Sequence, residues 1–407
     1  MKILLRIKIK IDTNFVKSCG FLWHYQYIKK YTKIGLIMIN KRFELTDEII
    51  STADESMNKI VDKTIKLKFN EISSFEFPLD ELFGLQVTYN DTLYCLVIKF
   101  SSKNKNLICA GSGAHKRDTI HNGQLLKPPF FDRWSWNEYF KESFIAYADP
   151  MLFYEDKLKI AWFIGTKKHW HLQDLSEIIK ELCKNQGIKH NNILFYGTSG
   201  GGFASVALAT LIKNSQVLIN NSQFFIMNYW EDVLNSLFDV LYDAFEGMDK
   251  DEIIEKIKHR LDVIELFKKE NHAPFITYYV NSESEWDIKF QVIPFLKKIY
   301  KLKQFNGLNV VYYREIKKVP HDPMDTNKTI KLIKEYCKNY LYNTKDDVKT
   351  TENQNIYIEG KYIHKVQKRN KILKKKNKKL KKENEDLLNS TSWKITSPLR
   401  KIKRIFK

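Results

Sequence analysis

The chain has 407 residues, 43% of them hydrophobic and 14% aromatic, enough apolar material for at least one sizeable core and too much for intrinsic disorder. Lys and Arg total 68 against 48 Asp and Glu, a formal net charge of +20, yet residues 361–407 hold 18 of the cations and 3 acids, leaving only +5 for residues 1–360. The basic character therefore belongs to an appended segment suited to a negative surface, and a nucleic-acid-binding fold throughout is excluded.

Cys19, Cys95, Cys109, Cys183 and Cys337 are odd in number and widely spaced, with no CxxC pair, which fits a reduced, cytoplasmic setting rather than a disulfide framework. His115, His121, His169 and His171 share no carboxylate or Cys at ligand spacing, so no metal is expected. The first twelve residues alternate charged with apolar side chains and do not read as a signal peptide. No window reaches the roughly 18 uncharged apolar residues that a membrane span requires, so membrane contact is expected to be peripheral, at the inner membrane.

Residues 1–70 carry short β-prone runs at 21–28 and 36–39 and a polar, helical stretch at 46–66, with no legible function. Apolar runs at 85–89, 93–100, 106–110, 144–148 and 158–164, most of them ending near Gly, Asp or Asn, predict strands. A helix is predicted over 172–185 from Leu172, Leu175, Ile178, Ile179 and Leu182, followed by a buried strand at 193–196, a helix at 203–212 and a strand at 216–219. This alternation predicts an α/β fold, a mostly parallel central sheet with helices on both faces. Helices at 230–245, 251–268 and 326–342 and strands at 275–280 and 308–313 complete the unit.

At Leu194–Ala204 an apolar strand runs directly into Gly197-Thr198-Ser199-Gly200-Gly201 and then into a helix of small residues. The G-x-S-x-G spacing in this strand–turn–helix context resembles the nucleophile elbow of the α/β-hydrolases, where a serine sits in a strained turn and glycines let helix and strand approach. A P-loop would end in Gly-Lys-Ser/Thr, whereas this turn continues Gly202-Phe203-Ala204. Gly200-Gly201-Gly202 with Ser205 approximates a dinucleotide fingerprint, but the next strand ends at Ile219-Asn220-Asn221 without the ribose-binding acid.

A serine nucleophile needs a base, and the elbow's superfamily places an acid and then a histidine on loops after later strands. The strand at 308–313 leads to Val319-Pro320-His321, and the strand at 275–280 leads to Glu283, Glu285 and Asp287. His321 is the candidate base and Asp287 the candidate orienter, preferred to the two glutamates because Trp286-Asp287-Ile288 resembles the superfamily's acid loop. Asp322 and Asp325 read as helix caps. The oxyanion hole is expected to combine the Gly200 amide with that of Ser112 or Gly111, on the loop after the strand at 106–110. Arg117 and Arg133 are candidates for clamping an anionic group of a donor or glycan.

Residues 83–342 also resemble the serine esterases and O-acyltransferases of bacterial surface-polysaccharide biosynthesis, through the Gly111 loop, Pro129-Phe130-Phe131-Asp132-Arg133-Trp134-Ser135-Trp136, Asp149-Pro150, the elbow and Asn221-Ser222-Gln223. The resemblance implies acyl-ester chemistry on a surface glycan or its precursor through an acyl-enzyme. It leaves open whether water or a sugar hydroxyl is the final acceptor. No bound cofactor is expected, and acetyl-CoA is a candidate acyl donor.

In the basic segment Val366, Leu373, Leu380 and Leu387 recur every seven residues, and Asn370, Asn377 and Asn384 stand three before the leucines. Leu at d and Asn at a favour a parallel dimer, while Arg369, Lys374, Lys376 and Lys381 at g and e oppose one, so a homodimer and an acidic assembly partner both stay open. Ser397-Pro398 opens a short helix with Leu399, Ile402, Ile405 and Phe406 on one face and cations on the other, suited to an anionic membrane. Those residues are not interleaved for base stacking, so nucleic acid is not an expected partner. Ser392-Trp393-Lys394-Ile395-Thr396-Ser397-Pro398-Leu399-Arg400 resembles the ends of bacterial polysaccharide glycosyltransferases.

The expected organisation is an N-terminal extension at 1–70, a hydrolase-like domain at 71–343, a linker at 344–360, a basic coiled-coil helix at 361–390 and an amphipathic tail at 391–407. The competing reading is a catalytically silent scaffold that anchors a glycosyltransferase complex at the membrane.

Overall fold

The computed structural model describes residues 43–117, 120–121, 124–302, 305–341 and 360–390. The chain divides into two units, Met1–Glu352 and Asn353–Lys407.

In the first unit the strands are β1 (Thr64–Lys68), β2 (Leu82–Tyr89), β3 (Thr92–Lys99), β4 (Leu107–Gly111), β5 (Ile120–His121), β6 (Gln124–Leu125), β7 (Ser143–Tyr147), β8 (Ile193–Thr198), β9 (Gln216–Ser222), β10 (Ile276–Asn281) and β11 (Leu308–Tyr313). Nine of them form one sheet in the order β1-β2-β3-β7-β4-β8-β9-β10-β11, and β5 pairs with β6 alone. Only β3 runs against the rest of that sheet. The main helices are α1 (Asp47–Met57), α2 (His171–Gln186), α3 (Ser199–Leu211), α4 (Glu231–Ala244), α5 (Lys250–Lys256), α6 (Val263–Glu270), α7 (Ile293–Ile299) and α8 (Thr326–Tyr336).

The central strands are apolar on both faces because both are covered. Ile193 and Phe195 of β8 enter the larger core with Leu172, Leu175, Ile178 and Ile179 of α2 and Phe203 of α3. Leu194 and Tyr196 enter the opposite core with Ala53 and Met57 of α1 and Ile330 and Ile333 of α8. Helix α3 is buried almost all round, which explains its run of Gly, Ala, Ser and Leu in place of a polar stripe.

This is the α/β-hydrolase type of fold expected from the sequence, and its topology fixes where the site must lie. From β4 the chain crosses to β7 on one side and then returns to β8 on the other. The carboxyl ends of β4 and β8 thus flank the point where the winding reverses, the crevice in which open α/β sheets bind ligands.

Three stretches differ from the sequence expectation. Thr64–Lys68, within the expected N-terminal extension and overlapping the end of the helical stretch expected at 46–66, is instead the edge strand β1 of this sheet. The apolar run 158–164 is a buried irregular segment, with Trp162 at φ +49° and Phe163 at φ +55°. The single helix expected over 251–268 is broken at Ile257 and again at Asp262, which caps α6 through its side chain.

Among its described residues the second unit contains the single helix α9 (Gly360–Asn389). The amphipathic tail at 391–407, the linker at 344–359 and residues 1–42 lie outside the described residues. Among the described residues no helix is long and apolar enough to cross a membrane.

Candidate active site

The elbow is built by steric necessity. Ser199, the first residue of α3, has φ +53°, a left-handed conformation that side chains other than Gly adopt at a cost. The turn closes because a Cβ on Gly197 would strike the Gly201 carbonyl, and one on Gly201 would lie 2.6 Å from the Gly111 carbonyl oxygen. The same glycines bring the β4 loop against the start of α3.

The three residues singled out from spacing meet in space. Ser199 Oγ lies 2.9 Å from His321 Nε2, and His321 Nδ1 lies 2.9 Å from both carboxylate oxygens of Asp287. Asp287 is fully buried after β10, and a carboxylate there accepts from a protonated Nδ1, the tautomer in which Nε2 presents a lone pair to the serine hydroxyl. Ser284 donates a further hydrogen bond of 2.5 Å to Asp287 Oδ2. Glu283, one of the rejected candidates, pairs instead with Arg314 at the surface.

The histidine loop is held from below by amides. Asn221, buried at the end of β9, donates to the carbonyls of His321 and Asp322, both at 3.1 Å, and accepts from the Asn281 amide at 2.8 Å. Asn281 donates to the carbonyls of Glu315 and Pro320. The rings of Trp230 and Trp286 stand at steep angles to the imidazole, with centroids 6.3 and 6.1 Å away.

Ser112, Gly113, Trp162 and Gly200 line a small cavity beside the elbow. The β4 loop and the first turn of α3, the two elements from which oxyanion donors were expected, contribute to its lining, and Asp149, Leu152, Ile160, Trp162 and Phe163 supply the rest. The Gly113 amide is already given to Asp132 at 2.7 Å, which leaves Ser112, Gly111 and Gly200 as the candidates.

Arg117 and Arg133, expected to clamp a substrate anion, turn inward. Arg117 donates to the Leu152 carbonyl and to Asp156. Arg133 donates to the Gly111 carbonyl at 3.2 Å and to Thr198 Oγ1 at 2.7 Å, tying the β4 loop to the end of β8.

Two contacts escaped the sequence argument. Gln223, fully buried, donates from Nε2 to Ser199 Oγ at 3.2 Å, and its Oε1 accepts from Trp162 Nε1 at 2.6 Å. Tyr229 packs edge-on to Trp162, with ring centroids 5.5 Å apart, and burial pushes its phenol up to about 12. The sequence signal for Gln223 was its place just after β9; nothing in the pattern tied it to Trp162. Behind Trp162, the carboxyl of Asp149 accepts from the amides of Phe163 at 2.7 Å and Met151 at 3.0 Å, fixing the left-handed turn. Burial raises Asp149 to about 7 against the opposing pull of those amides.

Among the described residues no group of His, Cys, Asp and Glu is arranged to hold a metal ion.

No family model matches the sequence, and no curated protein does. Among solved structures the chain is similar to the capsule O-acetyltransferase of Neisseria meningitidis serogroup A, at 14% identity and a TM-score of 0.45 over 63% of this chain and 96% of that one. It is also similar to acetyl xylan esterase 1 from Thermoanaerobacterium sp. JW/SL YS485, at 12% identity and a TM-score of 0.42 over 71% and 93%. A third likeness is to a glycosylation-associated protein complex from Streptococcus agalactiae, at 13% identity and a TM-score of 0.41 over 64% of this chain and 47% of that one. The fold assignment rests on the strand order and the elbow, not on these overlaps.

Proposed function

We propose that the protein is a serine-dependent acyl-ester enzyme, an esterase or O-acetyltransferase acting on a bacterial surface glycan or its precursor. The observation that carries the chemistry is the unbroken line from Ser199 Oγ through the His321 imidazole to Asp287, with the hydrogen bonds on both sides of the ring at 2.9 Å. As the Ser199 oxygen attacks an acyl carbonyl, its proton passes to His321 Nε2 and the carbonyl electron pair moves onto oxygen. Asp287 holds the imidazole in the required tautomer and stabilises the imidazolium. Amides of Gly200 and of Ser112 or Gly111 would receive the oxyanion. Collapse of the intermediate expels the donor's alcohol or thiol with the proton from His321, and an acceptor hydroxyl then repeats the sequence to release Ser199.

The glycan as substrate rests on the sequence resemblance and so does acetyl-CoA as donor. The C-terminal segments are assigned to the setting: a basic helix for a second copy or an assembly partner, and a tail for an anionic inner-membrane surface from the cytoplasmic side. The intact constellation favours an enzyme over a silent scaffold, since a scaffold has no need of an aligned base.

The test is intact mass after exposure to a fluorophosphonate probe. A single adduct is expected on the wild type and none on Ser199→Ala; a wild type that stays unlabelled would transfer the weight to the scaffold.

A further inference from the structure

We infer that Gln223 is a further catalytic residue, whose side-chain amide donates to the nucleophile oxygen of Ser199 and steadies the charge that grows there. The inference rests on the serine-nucleophile reading above.

The orientation of the amide follows from its neighbour. An indole N–H can only donate, and Trp162 Nε1 lies 2.6 Å from one end of the Gln223 amide, so that end is the oxygen. The NH2 end must then face Ser199 Oγ, 3.2 Å away. Gln223 cannot swing aside: it is fully buried, and its backbone amide donates to the Ser199 carbonyl at 3.1 Å. Trp162 is equally constrained, because Asp149 pins the next residue, Phe163, in its left-handed conformation. A buried chain thus runs from Asp149 through the 162–163 turn and Gln223 to the reacting oxygen, in a segment with no part in the strand order of the sheet.

A hydroxyl oxygen offers one proton and two lone pairs. In Ser199 the proton points to His321 Nε2, and the Gln223 N–H occupies one lone pair, which leaves the other directed for attack. To the extent that the Ser199 proton moves to His321 ahead of O–C bond formation, Oγ takes on alkoxide character and the N–H···O hydrogen bond strengthens, before the electron pair passes on to the carbonyl oxygen. No proton leaves Gln223. In the second half of the reaction the O–C bond breaks, Oγ departs toward its alkoxide as His321 returns the proton, and the same donor assists. An interaction stronger in the transition state than in the resting enzyme is one that raises rate. A carboxylate at this place would reverse the effect, since it would compete for the hydroxyl proton.

The experiment compares rates of fluorophosphonate labelling of Ser199 in the full-length wild type, Gln223→Leu, Gln223→Glu and Trp162→Phe, with thermal melting of each. Expected is at least a roughly ten-fold slower labelling of both Gln223 variants at neutral pH, the loss of one donor at a reacting oxygen, with Trp162→Phe between them and the wild type. Gln223→Glu keeps the shape and the acceptor for Trp162, so it reports on the donor even where Gln223→Leu does not fold. A folded Gln223→Leu that labels at the wild-type rate, or a folded Gln223→Glu that does so at a pH where its carboxyl is ionised, overturns the inference and leaves the serine, histidine and aspartate roles standing. A wild type in which Ser199 does not label overturns the serine reading itself and this inference with it.

Discussion

One methyl group at Gly201 measures how tightly the site is assembled. In a helix interior Gly→Ala ordinarily gains about 0.5–1 kcal/mol from reduced backbone freedom. Here the added Cβ would lie 2.6 Å from the Gly111 oxygen and 3.0 Å from the Ser112 carbonyl carbon, both backbone atoms of the loop expected to supply an oxyanion donor. Overpacking of this kind costs about 1–3 kcal/mol, so the clash wins over propensity. Gly201→Ala should therefore lower stability in urea melts and slow Ser199 labelling further than its stability alone predicts; a variant more stable than wild type would show that the loop yields freely. Asp149 gives a second residue-scale prediction, with a definite sign. Its folded carboxyl is raised from 3.8 to about 7, chiefly by burial, so the folded state holds the proton more tightly than the unfolded chain between those values. Stability contributed there is full below pH 4 and is lost as pH rises to about 7, by a few kcal/mol on linkage grounds. Urea melts across that range should show the advantage of wild type over Asp149→Asn shrinking as pH rises and then levelling. A constant difference would mean that Asp149 titrates near its ordinary value.

At the scale of elements, the histidine loop matters more than its length suggests. It has no regular structure around His321, yet the buried amides of Asn221 and Asn281 give it four carbonyl-directed hydrogen bonds. Removing a partner from buried groups costs about 1–3 kcal/mol each, and Asn221 also sits at φ +42°, which Ala tolerates less well. Asn221→Ala is expected to lose about 2–4 kcal/mol in urea melts. Its Ser199 labelling should also slow, because the base is no longer held; stability within about 0.5 kcal/mol of wild type would contradict the assigned bonding. Elements of this sort also mark what was legible in advance. Strands β4, β8 and β9 were readable as apolar runs because both their faces are covered, and the elbow was readable because sterics force glycines into it. The order serine, aspartate, histidine could be followed because each residue lies on the segment that follows a strand, β8, β10 and β11 in turn. The run 158–164 was misread for the same reason that β8 was read correctly: burial makes both continuously apolar, and periodicity does not separate a strand from an irregular buried segment. Gln223 and Trp162 were invisible as a pair, since their contact spans 61 positions and depends on a turn at positive φ that no residue type announced. The inward use of Arg133 was hidden likewise, its acceptors being Gly111 and Thr198 from two separate strands.

Across the whole molecule, charge and chemistry are separated along the chain. The candidate site draws on residues from Gly111 to His321, all within the first unit, whereas residues 361–407 carry 18 Lys and Arg against 3 acids. Helix α9 spans 12 of these cations and all 3 acids, and among its described side chains Ile372, Leu380 and Leu388 are exposed, as are Lys375, Lys376, Lys378, Lys379, Lys381 and Lys382. With the sheet, both cores and the site in the first unit, a chain ending at Asn343 should fold with the melting temperature of the wild type and label at Ser199 at the same rate. Attraction of the basic segment to anionic vesicles is screened as the Debye length falls from about 10 Å at 0.1 M salt to about 3 Å at 1 M. Full-length protein should therefore sediment with phosphatidylglycerol vesicles at low salt and be released at high salt, while the truncated chain stays in solution at both. Retention of the truncated chain would place the membrane contact on the body of the protein. Loss of Ser199 labelling on truncation, at an unchanged melting temperature, would instead make the basic segment part of the working site, and the division between chemistry and attachment would have to be redrawn.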